Sequence, residues 1–242
     1  MSRGLRLALA LALAGALALA APAVAQTADC RPCTPGPFDA VEISGSAVVR
    51  FTQGPTDEVR IGGDADAQGG VDLQVRDGVL HIRPPSGWKF WSGARPHIDI
   101  TARELRRVAI SGAADFAAMQ PVRSRALEIS ISGSGLARFD RLQADSLRFQ
   151  VSGAGDGQVA GRVGDLQIAV SGRGEFRGEN LLSRRAKVAV AGVGEVRVWA
   201  TEWLGIHVSG VGTVDYWGTP LVERHSSGIA KIHEHGPKPL PP

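Results

Sequence analysis

Residues 127–135 read Leu-Glu-Ile-Ser-Ile-Ser-Gly-Ser-Gly, residues 147–155 Leu-Arg-Phe-Gln-Val-Ser-Gly-Ala-Gly, residues 166–174 Leu-Gln-Ile-Ala-Val-Ser-Gly-Arg-Gly, and residues 186–194 Ala-Lys-Val-Ala-Val-Ala-Gly-Val-Gly. Aligned on the residue before the first glycine, these stretches share one template. The same Ser/Ala-Gly pair stands at Ser111-Gly112, Ser132-Gly133, Ser152-Gly153, Ser171-Gly172, Ala191-Gly192, Ser209-Gly210 and Ser227-Gly228, with spacings of 21, 20, 19, 20, 18 and 18. A fixed interval near 20 residues is the signature of a solenoid.

The columns of this alignment give each side chain a direction. One position before the anchor stand Ile110, Ile131, Val151, Val170, Val190 and Val208; three before stand Val108, Ile129, Phe149, Ile168, Val188 and Ile206. Between them lie small or polar residues, Ala109, Ser130, Gln150, Ala169, Ala189 and His207. Alternation with period two means a strand with one buried face. A second strand follows the glycine, with apolar points at plus five (Phe116, Ala137, Phe176, Val196, Val214) and plus seven (Phe139, Val159, Val198, Tyr216). Arg138, Gln158, Arg177, Arg197 and Asp215 between those columns suit water. A third apolar point, five before the anchor, is Leu127, Leu147, Leu166, Ala186, Leu204 or Val222.

The expectation is therefore an all-β, single-stranded, right-handed parallel β-helix with coils of about 20 residues, each built from three short strands of four to six residues. Seven coils at ~4.8 Å would make a prism about 30 Å long. The repeating glycines are expected at bends that need positive φ, and the serine column is expected to form a hydrogen-bonded ladder. The part before Ser111 is less regular. Its first corner is Ser44-Gly45, 67 residues earlier, and Asp77-Gly78 between Val71–Val75 and Val79–Arg83 predicts an antiparallel hairpin. At the far end Arg224 and Ser226 replace inward aliphatics, as a solvent-facing last coil requires.

Composition agrees with a folded, exported chain. The 242 residues are 43% hydrophobic and 21% charged, a globular balance, and 31 glycines without a Gly-X-Y period exclude collagen. Arg3 and Arg6, the apolar run Leu7–Ala21 and Ala23-Val24-Ala25 form a signal peptide over residues 1–25. Its removal lowers the formal charge from +3 to +1, which argues against a nucleic-acid partner, and no later run is long enough to span a membrane. Residues 26–37 form a Cys/Pro-rich linker, 38–236 the solenoid domain and 237–242 a Pro-rich tail that cannot pair. The linker carries Cys30 and Cys33 in a C-x-x-C arrangement, expected as a local disulfide in an oxidising compartment. Thr34 stands where c-type haem attachment needs His, and a thioredoxin-like centre lacks its βαβ setting.

Phe38-Asp39-Ala40-Val41-Glu42-Ile43-Ser44-Gly45, the Gln53-Gly54 turn, Val59-Arg60-Ile61-Gly62-Gly63-Asp64 and Asp77-Gly78-Val79-Leu80, followed by iterated Ser-Gly-x-Gly strands, resemble the putative auto-transporter adhesin head GIN domain family. The resemblance covers residues 38 to 236. It implies a β-solenoid of exported bacterial proteins, periplasmic or at the cell surface, of unestablished function and with no catalytic residues to carry over. No translocating β-barrel is encoded here, so a complete auto-transporter is not expected.

Site readings divide among three groups. Trp199 and Trp217 share the plus-eight position of adjacent coils, with Trp203 and Tyr216 nearby: a ring row that stacks on sugars or a protein partner, or else a flank covered by a loop or the C-terminal tail. His207 and His225 are expected to stack outward, with His233 and His235 on the last strand; these four are weak metal candidates against a plain surface reading, and no cofactor is expected. Asp156, Glu175, Glu195 and Asp215 fall at slipping positions near the second bend, and Asp64, Asp66 and Asp72 match no calcium loop; both read as solvated surface. The leading reading is a non-enzymatic binding solenoid for an envelope glycan or protein. Its rivals are a carbohydrate-active β-helix enzyme, a lyase or glycoside hydrolase, and end-to-end self-association through open terminal coils.

Overall fold

The structure is a computed structural model that describes residues 31–33, 35–62, 71–84 and 95–239. The leader, Cys30, Asp64, Asp66 and residues 85–94 lie outside the described residues, as do residues 240–242. Described residues form no helix that could cross a membrane.

Among the described residues, seventeen strands make one continuous sheet. In chain order they are β1 (Arg31–Cys33), β2 (Ala40–Ile43), β3 (Ser46–Gln53), β4 (Glu58–Gly62), β5 (Asp72–Arg76), β6 (Val79–Arg83), β7 (His97–Ala102), β8 (Arg107–Ile110) and β9 (Ala113–Ala118). They continue as β10 (Val122–Ile131), β11 (Ser134–Val151), β12 (Ala154–Val170), β13 (Arg173–Val190), β14 (Val193–Val208), β15 (Val211–Trp217), β16 (Leu221–Ser226) and β17 (Ile229–Glu234). From β8 on, every pairing between coils is parallel, and the register sets Ile129, Phe149, Ile168, Val188 and Ile206 directly above one another. The chain is thus a β-solenoid of about six turns.

The inward columns read from the repeat are buried without exception in the coils from Val108 to Val208. Each fully buried Val, Ile or Phe contributes ~1.5–3 kcal/mol, and adjacent coils share one core, so stability accrues coil by coil. Aromatic rings stack up the axis, Phe51 on Phe116 at 5.9 Å and Phe116 on Phe139 at 5.6 Å between centroids.

Three local expectations are corrected. β11 to β14 are single strands of 16 to 18 residues that bend around the coil, and the only regular breaks are the Ser/Ala-Gly corners. The corner glycines do not take positive φ. They are required because each sits against the glycine of the coil below: a Cβ on Gly172 would lie 2.5 Å from the Ser152 carbonyl oxygen and nearer still to that of Gly153. Two of the corner serine hydroxyls donate to backbone instead of to one another, Ser111 to the Ile43 carbonyl at 3.3 Å and Ser171 to the Val151 carbonyl at 3.2 Å.

The irregular N-terminal part turns out to close one end. β2 and β3 form a coil beneath β8 and β9, with Gly45 under Gly112, and β6 and β7 form a further layer beneath that. The predicted hairpin is present, β5 pairing antiparallel with β6 through Asp77 and Gly78 at φ 52° and 74°. β4 lies antiparallel on β7, and β1 on β4, so a layer of antiparallel strands covers this edge.

The other end is closed by chemistry. Tyr216 enters the plus-seven column, and its hydroxyl donates to Glu234 Oε2 at 2.7 Å while accepting from Arg224 at 3.0 Å. Burial, then the Glu234 carboxylate, pushes the phenol above its ordinary pKa. Arg224 replaces Ile206 of the coil below and lays its guanidinium over the Tyr216 ring at 5.9 Å, so the last coil covers the core with a charge facing water. Tyr216→Phe, which keeps the ring and removes the hydroxyl that links Arg224 to Glu234, is expected to lower the unfolding free energy by about 1 kcal/mol in urea titration.

Candidate functional site

The aromatic row is only partly outward. Trp199 and Trp217 stand opposite each other in β14 and β15, as the repeat predicts, but Trp199 is 3% exposed and Tyr216 2%. Tyr216 is buried because it points inward in the plus-seven column, and Trp199 is covered by the C-terminal tail, which returns along this flank. Gly218 donates to the Gly236 carbonyl at 2.8 Å, and the His235 ring stacks on Trp217 at 4.4 Å. The Lys238 ammonium sits 5.2 Å from the Trp199 ring and 5.8 Å from the Trp217 ring while donating to the Glu179 carbonyl at 2.7 Å. The tail thus covers the expected ridge.

Trp203 is different. It lies flat over Gly205, whose missing Cβ makes room for the ring, and its Nε1 donates to Glu223 at 3.1 Å. The Arg185 guanidinium lies 5.6 Å from its centroid. Trp203 and Arg185 share a hollow of about 450 Å³ with Arg148, Gln167 and Lys187.

The four histidines separate into two pairs. His207 and His225 stack at 5.0 Å with planes 4° apart on the strand before the corner, whereas His233 and His235 approach Asp215 Oδ1 at 3.2 and 2.8 Å on the strand after it. Among the described residues no three His, Cys, Asp or Glu side chains are arranged to hold a metal ion. Cys33 lies in β1, but its pairing with Cys30 falls outside the described residues.

The carboxylates are better ordered than the sequence suggests. Asp156, Glu175 and Glu195 occupy one column beside a shallow hollow of about 470 Å³, the Glu175 amide donating to Asp156 Oδ1 at 2.9 Å. Arginine accompanies them. Arg177 bonds both oxygens of Glu175 at 2.6 and 2.7 Å, Arg197 stands 3.4 Å away, and Arg177 above all holds the Glu175 carboxyl below its ordinary pKa. A glycosidase general acid needs the opposite shift.

A broad concavity lies on the third flank, which the repeat alignment does not describe. There Val122, Leu142 and Leu181 point inward, Ser183 is wholly buried with its hydroxyl donating to the Trp199 carbonyl at 2.7 Å, and Arg123, Gln143, Arg162 and Leu182 follow in register outside. These outer residues line an open groove of about 1520 Å³ that runs from Gln53 and Arg103 along the solenoid to Thr201. Gln53 pins its N-terminal end, donating to the Arg103 and Arg123 carbonyls, both at 3.0 Å, and accepting from the Arg123 amide at 2.7 Å. At the next bend the groove meets the Trp203 hollow through Asp165.

Comparisons with known proteins follow this geometry. A family model described as putative auto-transporter adhesin, head GIN domain, matches residues 37–220. The crystal structure of a putative adhesin from Bacteroides fragilis superposes with a TM-score of 0.81 at 22% identity, covering 86% of this chain and 97% of that one. One of a putative adhesin from Parabacteroides merdae gives 0.69 at 18%, covering 87% and 97%. One of a putative lipid binding protein from Parabacteroides distasonis gives 0.69 at 21%, also covering 87% and 97%. No curated protein matches. At these identities the superpositions show a common fold.

Proposed function

Because this chain belongs to the head GIN domain family of putative auto-transporter adhesins, we propose that it is an exported, non-enzymatic solenoid that binds a linear polymer of the cell envelope along its third flank. The observation that carries this reading is the groove from Gln53 to Thr201, which follows the solenoid axis and is open along its length. A parallel sheet holds each outer side chain at a fixed height, about 4.8 Å from its neighbour, so the groove is a rigid ruler that costs little entropy to occupy. The carboxylate column across the corner supports the non-enzymatic reading, since Arg177 keeps Glu175 ionised.

Binding of the purified protein to glycan arrays and to solubilised envelope fractions tests this. Gln143 points outward at mid-groove and is exposed. Gln143→Trp is expected to obstruct the groove and lower retention of the bound fraction about tenfold, with the urea midpoint unchanged. Equal retention by wild type and variant would remove the groove from the function, and shortened glycan products in the incubation would favour the enzyme.

A further inference from the structure

The groove has a charge pattern of its own. Six arginines and three acidic residues line it. At its N-terminal end Arg103 and Arg106 are tied to Asp57 and Asp39; along the rest stand Arg123, Arg125, Arg184 and Arg162, the last with a partner of its own within the chain, and with them Asp145 and Asp165. Asp165 in turn lies 3.9 Å from Arg185 at the bend.

The four arginines are exposed, and the parallel register fixes their order. Arg123 and Arg162 share one column, separated by Gln143, two coils or about 10 Å apart; Arg125 and Arg184 are the two ends of the next column, three coils or about 14 Å apart with Asp145 and Gly164 between them. A compact anion would reach one guanidinium. A chain lying along the axis with an anionic group at roughly every second sugar would reach several, and guanidinium binds planar carboxylate or sulfate oxygens in a fixed two-pronged geometry. Duplex nucleic acid carries a charge every ~1.7 Å and would set unpaired phosphates against Asp145 and Asp165.

Resting on the groove as the binding surface, we infer that its ligand is an anionic polysaccharide, held through carboxylate or sulfate groups by Arg123, Arg125 and Arg184. Neutral hydroxyls between the charged groups meet Gln143 and Ser124 on the same lining.

Calorimetric titration of the purified protein with polygalacturonate, dextran sulfate, neutral dextran of matched length and duplex DNA tests the inference. Polygalacturonate, dextran sulfate or both are expected to bind, the stronger identifying the anionic group, while neutral dextran does not. Arg125→Ser combined with Arg184→Ser is expected to weaken binding at least about tenfold, and raising salt from 20 to about 150 mM to weaken it further as the Debye length shortens. Arg125→Lys with Arg184→Lys retains the salt-dependent part and loses the geometric part. Equal binding of neutral dextran, abolished by Gln143→Trp, would overturn the charge assignment and leave the groove in place. Anionic binding that survives the serine pair, or DNA binding as tight as glycan binding, overturns the inference. Failure of every anionic glycan overturns it as well, and if Gln143→Trp also leaves envelope binding intact, the groove reading falls with it.

Discussion

Phe149→Ala is expected to lower the unfolding free energy by about 3–5 kcal/mol. Phe149 is fully buried, packs on Phe176 at 4.9 Å between centroids, and fills the space over Gly157, the one glycine of the plus-five column, which pairs in register with Phe176. A Cβ on Gly157 would lie 2.7 Å from Phe149 Cε2 and closer to Cζ. The large residue on one wall and the absent side chain on the other are therefore one packing unit, and truncating the ring leaves a cavity that a hydrogen-bonded sheet cannot collapse into. Gly157→Ala alone should cost about 1–3 kcal/mol by overpacking. Combined with Phe149→Leu it should cost less than the two single losses added, a coupling that urea titration of all four proteins measures directly. Independent, additive losses would mean that the two walls do not interlock.

This pairing marks the boundary of what the sequence makes legible. The anchor columns are visible because Val, Ile and Phe recur at fixed offsets from the Ser/Ala-Gly pair, and the strands on either side of that corner stay in register. The third flank keeps its offset only from the anchor that follows it, Val122, Leu142, Gly161 and Leu181 each standing ten residues before the next Ser/Ala-Gly pair, and not from the anchor that precedes it. Register shifts between Phe139 and Leu142, Gln158 and Ala160, and Gly178 and Leu182 absorb the changes in coil length before the chain reaches it. Its inward residues Val122, Leu142, Gly161 and Leu181 vary in type, one of them a glycine, and Ser183 is polar yet buried, so an apolar column does not mark the flank that holds the groove.

The site residues fail for a related reason. Period-two alternation places Trp199 and Trp217 on the outside of the sheet, and there they are, opposite each other. Whether an outward residue meets water depends on what crosses it, and the tail from Gly236 to Lys238 has no repeat partner from which its path can be read. The exception with a local signal is Trp203: a tryptophan two residues before a glycine in a strand predicts a ring lying flat over the missing side chain, which is what Gly205 allows.

Gly172→Ala is expected to cost about 3 kcal/mol, because the corner is limited by distance and not by dihedral angle. From Gly112 through Gly228, each corner glycine sits against the carbonyl oxygen of the glycine in the coil below, and backbone bonds on both sides hold that spacing, Ser171 N to the Val151 carbonyl at 2.8 Å and Arg173 N to the Gly153 carbonyl at 2.9 Å. A methyl group can be admitted only by lengthening those bonds, and the cost passes to both neighbouring coils. Asparagine separates the two explanations. At Gly78, where φ is +74° and a Cβ would meet nothing closer than 3.6 Å, asparagine should be tolerated better than alanine, since it visits the left-handed region more readily. At Gly172 asparagine brings the same Cβ as alanine and should be at least as damaging. A urea series on Gly78→Ala, Gly78→Asn, Gly172→Ala and Gly172→Asn, with Ser171→Ala as the small-loss control, reads this out. Recovery of stability by asparagine at 172 would mean that the corner turns on backbone angle, and the stacked-glycine account of this solenoid would have to be abandoned.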